Sequence, residues 1–410
     1  MKLYLSENIK SIYFFESTAY ICTSTTEYPI LGALSYIVHM IAQHNNSISN
    51  IAIELKNKFD LKEPINEIEE KILDSTIKSS KYKNVFDTVE HDNEYKLYSG
   101  FGDKFPQILH IELTSTCNLN CEHCYKNSNQ QKDYIEYEKL VSKIYKPLLG
   151  KTQVIHFTGG EPTLYPEFEN AVNKFSMGYT LQLTTNGTNM ARFPFDLYKK
   201  FQAVDISLYG LSNMEYFANT NSRNAFDMLT SSCLALAKAD IPFRHTLVIN
   251  EKNYEQMEAY LKYSIEVGAK SFGFATPTVS GRLINGNQSG WILSKEKRKY
   301  IYRKFRELEV KYKDKIYISP WYRSQYATVP KNEDKKPACS AGSQTWWLSE
   351  NFMFRPCAFF PSEYLSLSYD EWWKFVNNKS AIDWRAAYER IEKYCSVHNI
   401  QLSDICSSFA

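Results

Sequence analysis

The sequence predicts an α/β protein whose central part is a partial (β/α)6 barrel. Six apolar, β-like segments follow one another between about residues 105 and 290, and stretches with helical spacing lie between most of them. The segments are ILHIELT (108–114), VIHFTGG (154–160), LQLTTNG (181–187), AVDISLYG (203–210), FRHTLVIN (243–250) and KSFGFATP (270–277). This alternation is typical of parallel β/α units that close, fully or partly, into a barrel.

Length and composition predict more than one domain around that barrel. The chain has 410 residues, of which 43% are hydrophobic, and this exceeds what one core usually serves. The sequence shows no internal repeat and no long Gly/Ser linker between its parts. We predict three docked domains, at residues 1–95, 105–320 and 321–410.

The balance of charge makes nucleic acid an unexpected partner. Lys and Arg number 48 and Asp and Glu 46, and the excess forms no basic stripe. The first residues lack a secretion signal and no apolar run reaches about 18 residues, so we predict a cytoplasmic protein without membrane contact. In that reducing compartment, nine cysteines are expected to be metal ligands or catalytic thiols rather than disulfides.

Residues 1–95 are predicted to form a small winged-helix unit. Two β-like runs, 11–16 and 19–23, flank a turn-like Ser-Thr pair and predict a hairpin. Three helical patterns follow, at 30–43, from Ser47 to 59, and at 65–77 after Pro64.

The last part of the chain is predicted to be a cysteine-bearing domain. A charged segment at 294–315 has the spacing of a solvated helix, and beyond it the pattern becomes irregular and aromatic. The tryptophans there are Trp321, Trp346, Trp347, Trp372 and Trp373.

Three cysteines directly after the first barrel strand predict a metal centre. Cys117, Cys121 and Cys124 stand in C-x3-C-x2-C spacing, in a loop at the carboxyl end of that strand, where barrel enzymes keep their chemistry. Three thiolates can bind three irons of a cubane cluster and leave the fourth iron open. The alternative is a structural zinc site in which His123 is the fourth ligand.

The ends of the later strands carry candidate binding residues. Gly159, Gly160, Glu161 and Pro162 follow the second strand, and glycines there allow a ligand to approach bare backbone. The alternative for this GGEP segment is a plain turn between strand and helix. Further candidates at strand ends are Thr185, Asn186, Gly187, Ser207 and Ala275.

The three-cysteine loop and the GGEP segment together resemble radical S-adenosylmethionine (radical SAM) enzymes, in which an aromatic residue follows the third cysteine, as Tyr125 does here. The resemblance implies a TIM-like radical SAM barrel with a SAM-binding [4Fe-4S] cluster. It implies that GGEP binds the amino group of the cofactor's methionine, and that Ser207 is the best strand-end candidate for its methionyl or ribose groups. Arg223 either meets the cofactor carboxylate or faces solvent. The cluster, reduced by an electron donor such as flavodoxin or ferredoxin, would donate one electron to the sulfonium of S-adenosylmethionine and so generate a 5′-deoxyadenosyl radical.

The later cysteines resemble the auxiliary-cluster domains named SPASM and Twitch. Cys339 and Cys357 flank SAGSQTWWLSENFMFRP, and Cys395 and Cys406 would complete four ligands for one auxiliary [4Fe-4S] cluster. The alternative for the last two is that they are small buried hydrophobes. Cys22 and Cys233 are predicted to be packing residues, with a hydrogen-donor role as the alternative for Cys233.

The order of hairpin and three helices in residues 1–95 resembles the recognition element of ribosomal-peptide (RiPP) modifying enzymes and the pyrroloquinoline quinone peptide chaperone. An edge strand in such a unit can take an extended leader peptide as an added strand. A DNA-binding winged helix is the alternative, but the helices are balanced or acidic.

These resemblances predict a radical SAM oxidoreductase that modifies a ribosomally synthesised precursor peptide. The expected product is an intramolecular thioether cross-link of the sactipeptide or ranthipeptide type. Carbon–carbon cross-linking, epimerisation and sulfatase-type residue oxidation remain alternatives within the enzyme class. A regulatory protein with a non-catalytic metal cluster is the alternative from a different class.

Overall fold

The structure of the protein is a computed structural model. It describes the chain except residues 16–17, 24–26, 32, 81, 83, 92–94, 102–104, 129–132, 287, 319–341, 343–344, 360–365 and 379–410. The chain divides into two compact units. The first comprises residues 1–107 with 150–153, and the second comprises residues 108–149 with 154–410.

The described residues of the first unit form two sheets and three helices. Its strands are β1 (Tyr4–Leu5), β2 (Ile9–Phe15), β3 (Thr18–Thr23), β4 (Glu27–Leu31), β5 (Phe86–Asp87) and β6 (Lys96–Phe101). Strand β1 pairs with β5, and the other four form a sheet in the order β4-β3-β2-β6. The hairpin β2–β3 is antiparallel, whereas β2 and β6 are parallel. The predicted hairpin is therefore confirmed, within a larger sheet than predicted.

The three helices of this unit are α1 (Ala33–Ala42), α2 (Ile48–Phe59) and α3 (Ile65–Ser75). Their apolar faces share one buried core with the sheet, through residues such as Ile37, Ile51 and Ile68. The predicted start of the first helix at Ile30 is wrong. Ile30 lies in β4, fully buried and opposite Ala19, because strand pairing overrides its helical spacing.

The second unit is built on a nine-stranded sheet. Its strands are β7 (Ile108–Glu112), β8 (Val154–Thr158), β9 (Thr180–Thr185), β10 (Phe201–Leu208), β11 (Phe243–Val248), β12 (Ser271–Ala275), β13 (Tyr317–Ile318), β14 (Thr345–Leu348) and β15 (Phe354–Arg355). The order is β13-β12-β11-β10-β9-β8-β7-β14-β15, and all neighbours are parallel except the antiparallel pair β14–β15. The six predicted barrel strands are β7 to β12.

The described residues of this unit also form α-helices. They are α4 (Tyr137–Leu140), followed by a π-helical turn (Val141–Tyr145), α5 (Lys146–Leu148), α6 (Phe168–Phe175), α7 (Asn213–Thr220), α8 (Ala225–Lys238), α9 (Met257–Glu266), α10 (Lys295–Tyr312) and α11 (Tyr369–Asn378). The predicted charged helix is α10. The described residues include no helix that is both long and apolar enough to cross a membrane.

The two faces of the sheet differ in chemistry. Buried apolar side chains on one face pack against the helices: Phe157 meets Phe175 of α6, and Phe272 meets Phe305 of α10. The other face carries buried or half-buried polar and aromatic side chains: His110, Glu112, His156, Thr158, Gln182, Thr184, Asp205, Ser207, Arg244, Thr246 and Trp347. Branched apolar residues usually fill the inside of a β/α barrel, so a polar face indicates a surface that receives a ligand.

Candidate functional site

The three-cysteine loop follows β7 and is largely buried. Cys121 is 8% exposed, while Cys117 and Cys124 are half-buried. Burial, together with the nearby Glu161 and Cys124, raises the pKa of Cys117 to about 12. Burial also raises the pKa of Cys121, and both other thiols add to that rise. The three thiols are therefore close enough to influence one another.

These residues fit a three-thiolate iron–sulfur cluster. The backbone N–H groups of Leu119 and Ser128 donate to the sulfurs of Cys117 and Cys124, each over 3.4 Å. Hydrogen bonds of this kind tune such clusters. Buried thiols with raised pKa values need a cationic centre to be held as thiolates, and iron supplies that charge. Cys117, Cys121 and Cys124 would hold the cluster.

His123 is placed as an aromatic packing residue. Its ring lies 4.2 Å from that of Trp291 and 5.2 Å from that of Tyr209. Burial lowers its pKa to about 3, helped by Arg282. Among the described residues, no group of three His, Cys, Asp or Glu side chains is arranged to hold a single metal ion. The contacts of His123 give no support to the zinc alternative.

The two glycines of GGEP pack against the backbone that enters the cysteine loop. A Cβ on Gly159, whose φ is +132°, would lie 2.5 Å from the carbonyl oxygen of Thr114. A Cβ on Gly160 would lie 2.2 Å from that of Thr116. The N–H groups of Gly160 and Glu161 donate to these same two oxygens over 2.7 and 2.8 Å. Only glycine permits this approach, which joins GGEP to the cysteine loop.

Glu161 joins the ends of two neighbouring strands. Its carboxylate is fully buried and accepts hydrogen bonds from Thr163 at 2.7 Å, Thr185 at 2.7 Å and the N–H of Asn186 at 2.8 Å. Burial raises its pKa, while these donors oppose the rise. Pro162 opens a short 3-10 turn behind it. The bonds described for Glu161 and Thr185 are made to protein groups.

Asn186 supports the first cysteine. Its Nδ2 donates to Asn118 Oδ1 at 2.9 Å and lies 3.9 Å from the sulfur of Cys117. Its Oδ1 accepts from the hydroxyl and the N–H of Thr188. The strand end 185–187 is thus bonded to the cysteine loop, and Gly187, at φ +75°, allows the chain to turn away.

The other predicted cofactor contacts lie at the same end of the sheet. Ser207 is half-buried and lowers the pKa of Tyr209, but burial and Cys121 raise that pKa well above its ordinary value. Ala275 ends β12, and its carbonyl accepts from the N–H of Ile249 at 2.9 Å. Arg223 lies over the ring of Phe217, 5.8 Å from its centroid, and this contact gives no support to a bond with the cofactor carboxylate.

Arg282 clasps the cysteine loop and was not predicted. Its guanidinium donates to the carbonyl oxygens of Cys121, at 2.7 Å, and of Ser128. Its backbone N–H donates to the carbonyl oxygen of Cys124 at 3.1 Å. A Cβ on the preceding Gly281 would lie 2.2 Å from the oxygen of Cys124. The Gly-Arg pair shortly after the sixth predicted strand was the available sequence signal.

Tyr125 points toward the C-terminal strands. Its hydroxyl donates to Glu112 at 3.3 Å, and its ring contacts those of Trp347 and Phe359. Glu112 is fully buried and pairs with Lys126 and Arg355. Burial alone would raise the pKa of Glu112, but these two cations hold it below its ordinary value.

Residues 111–263 match the family model of the Radical SAM superfamily. The chain carries a radical SAM domain. This domain begins in β7, contains the cysteine loop and GGEP, and ends in α9. It implies S-adenosylmethionine and a [4Fe-4S] cluster as cofactors. The protein is an enzyme, and the alternative of a non-catalytic cluster protein is not supported.

Curated relatives extend well beyond the radical SAM domain. The antilisterial bacteriocin subtilosin biosynthesis protein AlbA of Bacillus subtilis (strain 168) is 24% identical over 341 residues, which is 79% of this chain and 72% of AlbA. The sporulation killing factor maturation protein SkfB of the same organism is 23% identical over 264 residues, which is 63% of this chain and 62% of SkfB.

Solved structures show the same fold. Streptococcus suis SuiB bound to S-adenosylmethionine superimposes with a TM-score of 0.61 at 15% identity, over 92% of this chain and 88% of SuiB. SuiB bound to precursor peptide SuiA gives a TM-score of 0.59 at 15% identity, over 92% of this chain and 91% of SuiB. The α/β fold with a parallel sheet is that of radical SAM barrel neighbours.

The cysteines outside the radical SAM cluster loop have different surroundings. Cys233 is fully buried on α8, 3.2 Å from His245 Nε2, as a packing residue would be. Cys357 follows β15 and is half-buried. Cys339, Cys395 and Cys406 lie outside the described residues, as does the side chain of Cys22. The auxiliary cluster stays a prediction.

Proposed function

We propose that this radical SAM enzyme modifies a ribosomally synthesised precursor peptide and installs an intramolecular thioether cross-link. The observation that carries the proposal is the similarity to AlbA, a bacteriocin biosynthesis protein, because it covers 79% of the chain rather than the radical SAM domain alone. SkfB, a maturation protein, and SuiB, whose structure holds a precursor peptide, support the peptide as substrate class. The thioether itself rests on the sequence resemblance.

The chain's own residues would hold and aim the reacting groups. Cys117, Cys121 and Cys124 would hold the cluster, and GGEP, Tyr125, Thr185, Asn186, Ser207 and Ala275 would surround the cofactor. The bound cluster, reduced by a donor such as flavodoxin or ferredoxin, would supply the electron that cleaves a C–S bond of S-adenosylmethionine into methionine and a 5′-deoxyadenosyl radical. The polar face of the sheet, from His110 to Arg244, would receive the peptide and exclude water.

The first unit would bind the leader of the peptide. In the sheet order β4-β3-β2-β6, strands β4 and β6 are the edges. An extended leader can add to such an edge, with backbone bonds for affinity and side-chain pockets for specificity. This supports the proposed recognition element at residues 1–95. Cys339, Cys357, Cys395 and Cys406 are proposed ligands of the auxiliary cluster.

The first experiment tests the radical chemistry. The anaerobically reconstituted enzyme is incubated with S-adenosylmethionine and dithionite, and 5′-deoxyadenosine is measured by chromatography. A variant with Cys117, Cys121 and Cys124 changed to Ala is the comparison. We expect product from the parent and none from the variant. Equal amounts from both proteins would refute the assignment of these three cysteines.

The second experiment tests the substrate and the linkage. A short peptide encoded beside the gene is co-expressed with the enzyme and analysed by mass spectrometry. A thioether predicts the loss of two hydrogens and a cysteine that no longer reacts with iodoacetamide. The same mass loss with a reactive cysteine would favour a carbon–carbon link. A mass that is unchanged in ordinary water but raised by deuterium uptake in heavy water would favour epimerisation.

A further inference from the structure

Four charged residues form an alternating, buried chain beside the cysteine loop. In order they are Glu350, Lys126, Glu112 and Arg355, with N–O distances of 2.5, 2.8 and 2.7 Å between successive members. Their side chains are between 0% and 11% exposed. Glu112 lies on β7 and Lys126 lies just after the third cysteine, whereas Glu350 and Arg355 come more than 200 residues later. This chain of ion pairs therefore joins distant parts of the sequence.

The later members belong to the C-terminal hairpin, which we define as residues 345–359. Its strand β14 pairs in parallel with β7, and Trp347 lies opposite His110 with the rings stacked 4.0 Å apart. Phe359, at the other end of the hairpin, contacts the ring of Tyr125. The hairpin therefore touches both the strand before the cysteine loop and the residues after its third cysteine.

We infer that the C-terminal hairpin completes the cluster site, with Arg355 and Glu350 as positioning residues that fix the cysteine loop through Glu112 and Lys126. Lys126 lies two residues after Cys124, and Glu112 lies five residues before Cys117. The ion chain thus holds the loop on both sides of its cysteines. This role concerns the cluster and is independent of which substrate the enzyme modifies.

Burial makes the ion chain sensitive to the loss of a single member. Replacing one partner of a buried ion pair leaves the other charge uncompensated in a medium that solvates it poorly. Arg355 donates to Glu112 through Nη2, a bond that a lysine can also make. Arg355 and Glu350 are the two ends of the ion chain. Loss of Arg355 removes a cation from Glu112, which is fully buried, whereas loss of Glu350 removes an anion from Lys126, which is 8% exposed and stays paired with Glu112. These two positions allow a severe and a mild test.

The test compares Arg355→Met, Arg355→Lys and Glu350→Gln with the parent enzyme. Iron per chain is measured after reconstitution and gel filtration in the presence of a chelator, and the reduced cluster is observed by electron paramagnetic resonance. Folding of each iron-free protein is followed by tryptophan fluorescence. We expect Arg355→Met to lose most of the iron that the triple cysteine variant also lacks, because an uncompensated Glu112 displaces the strand that leads into the cysteine loop. Arg355→Lys should regain most of it.

Glu350→Gln should stay folded without iron, yet show weaker iron retention and an altered resonance signal. The control is Lys311→Met on α10, which removes an ion pair with Glu258 of α9, and the contacts described for that pair do not involve the cysteine loop. It should keep the parent iron content. The inference is overturned if folded Arg355→Met retains parental iron and signal. It is also overturned if iron is lost only in proportion to the unfolded fraction while Glu350→Gln behaves like the parent.

Discussion

Close backbone contacts at the GGEP turn leave no room for a Cβ atom. A Cβ on Gly160 would collide with the carbonyl oxygen of Thr116. The next two nearest atoms, of Thr116 and Ser115, also belong to the backbone, so they cannot rotate away as a side chain can. A methyl group there must separate GGEP from the start of the cysteine loop. The consequence is larger for the cofactor site than for the fold as a whole.

Gly160→Ala should therefore lower stability by about 1–3 kcal/mol, the usual penalty of overpacking, and weaken binding of S-adenosylmethionine. Thermal unfolding and equilibrium binding of the cofactor to the reconstituted enzyme measure both effects. Gly178→Ala is the matched control, since its new Cβ meets the flexible end of Leu149. Equal cofactor binding by the two variants would contradict the argument.

Asn186→Ala tests the support of the first cysteine. The change removes the bonds to Asn118 and Thr188 and the contact with the Cys117 sulfur. Loss of such a partner is expected to weaken retention of the iron held by Cys117, Cys121 and Cys124 by about 10-fold or more. Iron is quantified after competition with a chelator. Asn189→Ala, one turn further along and bonded to Thr163, should leave iron retention unchanged.

The sequence pointed to candidate residues that the structure brings together, but it did not predict their hydrogen-bond partners. Glu161, Thr185 and Asn186 were expected to bind the cofactor, and the structure bonds them to one another and to the cysteine loop. Those bonds join residues that lie up to 69 positions apart in the chain. Local spacing does not encode such pairings, which is also why the clasp by Arg282 was missed.

Helix α8 and strand β11 are joined by a buried contact between two polar side chains. Cys233 approaches His245 at 3.2 Å, and His245 Nδ1 lies 2.9 Å from Ser264 of α9. Burial raises the pKa of Cys233 to about 12 and lowers that of His245 to about 3. Both groups are therefore neutral near pH 7, which suits packing rather than chemistry.

The enzyme should lose stability on acidification through His245. Its folded pKa of about 3 lies below the ordinary value near 6.5, so between these values the unfolded chain binds a proton that the folded chain excludes. The free energy of unfolding then falls by up to about 1.4 kcal/mol per pH unit as the pH drops below about 6.5. Urea unfolding of His245→Gln should show a flatter pH dependence, and an unchanged slope would contradict this.

Cys233→Ala should leave the chemistry intact. A fully buried thiol bonded to His245 is poorly placed to donate hydrogen to a peptide. We expect parental 5′-deoxyadenosine formation and peptide product, with stability lowered by about 1–2 kcal/mol. Mass spectrometry of the peptide checks product formation, and thermal unfolding checks the change in stability. Loss of product from folded, iron-loaded variant would restore the donor hypothesis.

The elements themselves were predictable where local pattern and tertiary packing agree. Strands β7 to β12 read as apolar segments because helices bury one face of each. Strands β13 and β15 have two residues each, too few for a period to appear. Strand β14 is short as well, and its partner β7 lies far away in sequence, so its place in the sheet could not be predicted.

At the scale of the whole molecule, the number of clusters is open to a direct count. If Cys339, Cys357, Cys395 and Cys406 hold an auxiliary cluster, the variant lacking Cys117, Cys121 and Cys124 should retain about half of the iron. Adding Cys357→Ala to it should remove most of the remainder. Iron and sulfide analysis checks this, with Cys233→Ala as the control cysteine. Complete iron loss in the triple variant would argue against a second cluster.

The parallel pairing of β14 with β7 has a consequence for assembly of the cluster site during protein synthesis. The ribosome synthesises the cysteine loop in the first third of the chain, but Glu112 can pair with Arg355 only after a further 243 residues have been made. Until then β7 has an open edge and its carboxylate lacks one cation. The cysteine loop therefore lacks this support until residue 355 has been synthesised, and stable insertion of the cluster is expected to follow that point. Ribosome-bound chains that end before residue 345 should accept no stable cluster.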